Sequence, residues 1–188
     1  MIKDNKKIIL IIGPPGSGKT SISDRIKNFN ISHFSIGEMY REISKEETPL
    51  GKIVKQNIDF GKFVPIKIAK DVMKQFIEKG YNKIIIDGFP RSIIQAEMFN
   101  NLLESTDAQL SKVIEISVNY DIAFKRISNR KRGVDDNEAL FASRIELYET
   151  DISKIRAFYV EKQVYTKIDG NLPFEKVVNN LNSVVFPL

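Results

Sequence analysis

Residues 13–20 read Gly13-Pro14-Pro15-Gly16-Ser17-Gly18-Lys19-Thr20 and fit the pattern G-x-x-x-x-G-K-[ST]. A β-branched apolar run precedes them and a helical pattern follows, the strand–turn–helix context in which such a loop binds phosphate. Glycines let successive backbone N–H groups turn inward as an anion nest, and the next helix adds its positive N-terminal end. Lys19 then reaches the β- and γ-phosphates, and Thr20 or Ser21 helps position Mg²⁺. The bland alternative is a glycine-rich turn that only links strand to helix. Asp87 ends the apolar run Ile84-Ile85-Ile86. It reads either as the acidic element holding Mg²⁺, directly or through water, or as a turn or helix N-cap aspartate. Arg126 and Arg130 are four apart on a helical pattern and so share one face. Arg144 borders the apolar stripe of a longer helix. The sequence has no cysteine, which excludes disulfides, thiolate zinc sites and cysteine nucleophiles. Its one histidine, His33, lies on a short strand pattern, where a structural or surface role outweighs catalysis.

The elements that must position these groups alternate. Strands are expected at Lys7–Ile12, Ser32–Ser35, Lys83–Asp87, Lys112–Val118 and Val164–Asp169. Helices are expected at Lys19–Asn28, Glu38–Ser44, Ile66–Lys79, Ile93–Leu103, Asp121–Asn129, Asn137–Tyr159 and Pro173–Leu181. Thr48-Pro49-Leu50-Gly51 reads as a loop leading into a further helical stretch that ends near Gly61, and Pro65 as an N1 proline opening the helix after it. The helix over Asn137–Tyr159 carries one stripe of Phe141, Ile145, Tyr148, Ile152, Ile155 and Tyr159. Strand–helix alternation implies an α/β fold with a parallel sheet covered on both faces and ligands at the carboxyl ends of the strands.

A chain of 188 residues suits one domain with small inserts. Its net charge of +5 is shared among lysines on solvated faces and arginines gathered for a polyanionic small molecule. No nucleic-acid-binding motif accompanies that charge. The apolar run Ile8–Ile12 is too short to span a membrane and no cleavage site follows it, so a cytoplasmic location is expected.

A phosphate loop says nucleotide, not what is done with it. Asp87-Gly88-Phe89-Pro90-Arg91, with Gln95 four residues after the arginine, resembles a segment of the adenylate kinase family and its nucleoside monophosphate kinase relatives. Further segments match that family in order along nearly the whole chain. Phe34-Ser35-Ile36-Gly37-Glu38-Met39-Tyr40-Arg41 is similar to its S-T-G-[DE]-x-x-R stretch, and Gly61-Lys62-Phe63-Val64-Pro65 to its G-K-x-V-P. Arg126-Ile127-Ser128-Asn129-Arg130 resembles R-x-x-x-R, and Asp135-Asp136-Asn137 with Arg144 resembles D-D followed by an arginine. Tyr165–Gly170 is similar to the closing strand and turn.

The resemblance implies a P-loop NTPase fold, three-layer α/β/α, with a five-stranded parallel sheet. The core is expected at 1–35, 66–125 and 138–188, a helical monophosphate-binding insert at 36–65, and a short lid at 126–137. The implied reaction is Mg·ATP plus AMP giving two ADP, by a cytoplasmic monomer that binds neither nucleic acid nor membrane. It assigns ATP to Gly13, Pro14, Gly16, Ser17, Gly18, Lys19, Thr20, Ser21, Arg126, Arg130 and Leu172. AMP falls to Ile36, Arg41, Lys62, Val64, Gly88, Arg91, Gln95, Arg132 and Arg144, with Gln95 reading the base. Lys19, Arg91, Arg130 and Arg144 are the implied catalytic residues, and Thr20 and Asp87 the metal residues, in part through water. Such chemistry needs no protein base, because the accepting phosphate oxygen is already anionic; it needs alignment and positive charge.

Four positions depart from the family pattern. Thr20 and Ser21 replace the glycine and threonine that usually follow the lysine, keeping hydroxyls there. Ile36 stands where adenylate-specific members carry threonine and pyrimidine-preferring ones alanine, which leaves UMP or CMP open as acceptor. Gly133 replaces an arginine before the Asp-Asp pair, and Arg132, one residue earlier, is the candidate to fill that role. A non-catalytic nucleotide-binding module is the rival from another class; the intact arginine set argues against it.

Overall fold

Five parallel strands in the order β2-β3-β1-β4-β5 organise the chain. They are seen in a computed structural model that describes residues 5–26, 30–129 and 138–186. The strands are β1 (Lys6–Ile12), β2 (Ile31–Ser35), β3 (Lys83–Asp87), β4 (Ala108–Ser117) and β5 (Tyr165–Asp169), and the two at the centre, β1 and β3, are rich in isoleucine. Branched side chains suit a pleated surface, and runs apolar at every position suit strands covered on both faces. In β1, Ile8, Leu10 and Ile12 enter one core while Ile9 and Ile11 enter the other. The first core lies under helices α4 (Ile66–Lys79), α5 (Ile93–Glu104) and α7 (Glu138–Glu161). The second lies under α1 (Lys19–Asp24) and α8 (Phe174–Val185). This is the expected three-layer α/β/α arrangement.

Helices α2 (Ile36–Ile43) and α3 (Pro49–Asp59) join β2 to α4, and α6 (Tyr120–Ser128) follows β4. The chain leaves β1 at the centre of the sheet, with β3 on one side and β4 on the other. That switch point opens a crevice beyond the carboxyl ends of the strands.

Several boundaries differ from the sequence reading, each for a local reason. Thr48-Pro49-Leu50-Gly51 is the start of α3 rather than a loop. The Thr48 hydroxyl accepts from the Gly51 N–H at 3.0 Å, and Pro49 takes the first turn, where its missing N–H costs nothing. Pro65 sits at the N-cap position of α4, one residue before N1, and its carbonyl accepts from the Ala69 N–H. Helix α2 begins at Ile36, two residues earlier than expected, capped by Ser35. Strand β4 begins at Ala108 rather than Lys112, because its polar start pairs with β1 across an irregularity at Ile8/Ile9. Helix α1 ends at Asp24 with Arg25 as its C-cap, short of the expected Asn28, which lies outside the described residues. The long apolar stripe holds: Phe141, Ile145, Ile152, Ile155 and Tyr159 of α7 are buried. Among the described residues no helix is long and apolar enough to cross a membrane.

Candidate active site

The phosphate loop leaves the end of β1 and closes tightly on its neighbours. A Cβ on Gly13 would collide with the Ile116 carbonyl oxygen of β4, and one on Gly16, whose φ is 79°, with the backbone of Ala123 in α6. Glycine is required there by close backbone approach as well as by the left-handed conformation. Lys19 folds back over the loop, donating to the Gly13 and Pro14 carbonyls at 2.8 and 2.9 Å and to Ser17 Oγ at 3.0 Å. Ser17 is fully buried and fixes the floor of the turn.

Asp87 closes β3 beside this loop and is 2% exposed. Its Oδ1 accepts from Thr20 Oγ1 at 3.2 Å and Ser35 Oγ at 3.3 Å, and its Oδ2 lies 2.7 Å from His33 Nε2. His33 Nδ1 is in turn 3.3 Å from Asp24 Oδ1. The structural role expected for His33 is therefore specific: it stands between two carboxylates, one of them in the site. Sequence reasoning missed this pairing, since nothing in the spacing of His33 and Asp87 announces it. Register does, because β2 and β3 pair with Ser35 opposite Asp87.

Across the crevice the arginines gather. Arg91 Nε donates to the Gly88 carbonyl at 2.8 Å. Arg91 Nη2 and Arg41 Nη1 lie 3.4 and 3.6 Å from the space a Cβ on Gly37 would fill. Two guanidinium forks therefore converge over one glycine, a geometry suited to a phosphate. Loss of water, then the charges of Arg144 and Arg41, push the Arg91 guanidinium below its ordinary pKa, against the opposing pull of Tyr40 and Asp87. Its side chain nevertheless retains contact with solvent along the cleft. Arg144, half-buried on α7, faces the same cleft. Arg126 joins the phosphate loop to the turn after β5, donating to the Ser17 carbonyl at 3.5 Å and the Gly170 carbonyl at 2.9 Å.

A single cleft of about 650 Å³ is lined by loop residues Gly13, Gly16, Ser17, Gly18, Lys19, Thr20 and Ser21 and by Arg41, Asp87, Gly88, Arg91, Arg126 and Arg144. That volume is of the size expected for small-molecule sites. The remaining expected positions are placed differently. Gln95 is buried, and its Oε1 accepts from the Arg91 backbone N–H at 2.8 Å, so the residue expected to read the base and the one expected to bind the phosphate are tied together. Gln95 is not among the residues that line the cleft described above. Ile36 is 1% exposed and packs toward Gly88 in the first core, away from the open cleft. Val64 is buried and Lys62 is exposed, its Nζ 5.9 Å from the Phe60 ring centroid. Leu172 packs on the second core, while Gly170 and Phe174 line the cleft near it. Pro14 contributes its carbonyl to Lys19. Arg130, Arg132, Asp135 and Asp136 lie outside the described residues. Gly37 and Ser35, which the sequence reading left without roles of their own, prove to shape the arginine pair and the Asp87 carboxylate.

The donor set also suits a hard divalent cation. Among the described residues no cluster of three or more carboxylate, histidine or cysteine ligands exists. Asp87 and Thr20 instead place two oxygens 3.2 Å apart beside the loop. Magnesium takes one or two protein oxygens and completes its shell with phosphates and water, at metal–oxygen distances of about 2.0–2.1 Å. Neighbouring oxygens in an octahedral shell then lie about 3 Å apart, close to the spacing seen.

The family model for adenylate kinase matches residues 11–164. Among similar proteins, an adenylate kinase of Nitratiruptor sp. is 40% identical over 96% of this chain and 95% of its own. One from Nautilia profundicola is 37% identical over 96% of each chain. A Helicobacter pylori adenylate kinase is 35% identical over 96% of this chain and 97% of its own. The matched span runs from the end of β1 to the start of β5 and so includes every group that lines the cleft except the turn after β5 and the residues beyond it. With that span and a parallel sheet carrying phosphate loop and arginine pair on one cleft, the chain belongs to the adenylate kinase family.

Proposed function

We propose that the cleft holds the triphosphate of ATP on the loop from Gly13 to Ser21 and the phosphate of AMP between Arg41 and Arg91. The observation that carries this reading is the convergence of two guanidiniums over Gly37, in the same cleft as Lys19. The chain is a phosphotransferase catalysing ATP + AMP ⇌ 2 ADP, reversibly.

In this reading Lys19 leaves the loop carbonyls it now caps and reaches the β- and γ-phosphates. Arg144, with Arg130, neutralises the phosphoryl group in flight, and Arg91 holds the attacking phosphate oxygen in line. Alignment and charge neutralisation supply the rate, since the transferring group passes through a loose transition state with charge on its oxygens. Asp87 and Thr20 would hold Mg²⁺, which would supply neutralisation of the phosphates' negative charge when bound. Arg126 borders the donor nucleoside, and Gln95 with Gly88 reads the acceptor base. Residues 36–65 serve as the acceptor-binding insert and 126–137 as a short lid that excludes water. We place the enzyme in the cytoplasm as a monomer with no nucleic-acid partner, in keeping with its composition and family.

An acceptor panel of AMP, GMP, UMP, CMP and dAMP with Mg·ATP tests the proposal. AMP should turn over fastest. Faster turnover of UMP or CMP would transfer the specificity to the pyrimidines, the reading that Ile36 leaves open. Inactivity on all five overturns the enzyme reading.

A further inference from the structure

Glu115 lies in β4 with its carboxylate 1% exposed, facing the apolar side of the sheet under α7. A charge among isoleucines and phenylalanines is costly unless every lone pair is met. Here it is met four times. Arg156 of α7 binds it with a two-pronged fork, Nη2 to Oε1 at 2.9 Å and Nε to Oε2 at 3.1 Å. Tyr148 of α7 donates to Oε1 at 3.1 Å, and Tyr165 of β5 donates to Oε2. Arg156 Nε also meets the Tyr165 hydroxyl at 3.1 Å. Of these four residues only Tyr148 reaches the cleft, and none has been given a role in binding or catalysis above.

Their placement connects two halves of it. Glu115 pairs in register with Ile12, the last residue of β1 before the phosphate loop. The next residue, Ile116, presents the carbonyl against which Gly13 closes. On the other side, Tyr148 sits one turn after Arg144 on α7, and both face the cleft. The network therefore links the strand that backs the donor loop to the helix that carries Arg144. Apolar contacts alone tolerate sliding and rotation of a helix, whereas a bidentate ion pair with two hydroxyl bonds fixes both.

We propose that Glu115, acting through Tyr148 and Arg156, is a positioning residue that sets the rotation of α7 and so holds Arg144 in register with the phosphate loop. This rests on the reading of Arg144 as a group that meets the transferred phosphoryl. Small displacements of such a group are expensive in rate, about a hundredfold for 1 Å. Loosening the network should thus lower kcat while leaving ground-state binding of both nucleotides in place.

The test is a double-mutant cycle of Glu115→Gln with Arg144→Ala, read as kcat and as KM for Mg·ATP and for AMP well below the melting temperature. Glu115→Gln alone should lower kcat by about tenfold or more, with both KM values within about twofold. In the Arg144→Ala background the same change should leave kcat within about twofold, because the group it positions is gone. Tyr148→Phe, which keeps the ring in the core, should show the same pattern in smaller measure and decides the matter if Glu115→Gln does not fold. An equal fall in kcat in both backgrounds, or none in either, overturns the inference. A normal kcat for Arg144→Ala alone overturns instead the site reading on which it stands.

Discussion

Replacing Gly37 by alanine sets two effects of known sign against each other. Gly37 lies in the first turn of α2, with no left-handed backbone to strain, so an added methyl removes chain entropy from the unfolded state. Gly→Ala in a helix contributes about 0.5–1 kcal/mol, which for a chain of this size raises the melting temperature by about 1–4 °C. In the free protein the methyl stands 3.4 Å from Arg91 Nη2 and 3.6 Å from Arg41 Nη1, ordinary van der Waals distances or slightly tighter. An acceptor phosphate held by both forks needs that same space. Loss of one charge-assisted hydrogen bond costs about 1.5–3 kcal/mol, or roughly 10- to 150-fold in AMP affinity. A coupled spectrophotometric assay of ADP formation, with calorimetric titration of AMP and of ATP, reads the outcome. Gly37→Ala should melt no lower than the parent, bind ATP normally and bind AMP weakly. An AMP affinity within twofold of the parent would refute the placement of the phosphate between Arg41 and Arg91.

Three other variants probe separate parts of the molecule. Gly16→Ala forces a left-handed alanine, at about 1–2 kcal/mol, and drives its Cβ into the Ala123 carbonyl; ATP binding by calorimetry should weaken at least about tenfold, and an unchanged affinity would contradict the loop geometry. Burial would raise the Glu115 carboxyl pKa, but hydrogen bonds from Arg156, Tyr165 and Tyr148 outweigh it and hold the group below its ordinary value. Its stabilisation is therefore complete above the unfolded carboxyl pKa of about 4.3 and is lost as pH falls through the folded value. Urea melts of the parent and Glu115→Gln should differ most near neutrality and converge in acid, as pH falls through the lowered folded value; a gap that widens in acid would reverse the sign. Tyr159 is fully buried and its hydroxyl has no hydrogen-bond partner among the described residues. Tyr159→Phe should therefore raise stability by about 1 kcal/mol, and a loss of that size in urea melts would mean that the hydroxyl is satisfied after all.

Two kinds of information separate cleanly here. The sequence by itself determined what is written locally: the strand–loop–helix of residues 13–20, the apolar stripe of α7, the alternation that makes a parallel sheet, and the ordered motifs of the family. Such features are legible because a phosphate nest needs consecutive residues and a helix face needs fixed spacing. Even so, Thr48–Gly51 read as a loop because a proline and a glycine together punctuate a chain, whereas a threonine cap turned the same residues into a helix start. Only the tertiary structure decided which distant groups meet. His33 reaches Asp87 across 54 positions because β2 lies beside β3 in a particular register. Arg41 and Arg91 converge on Gly37 because α2 leaves β2 next to the end of β3, and Arg156 finds Glu115 because α7 crosses the face of β4 and β5. Strand order and register are properties of the packed sheet, and no spacing along a single chain records them.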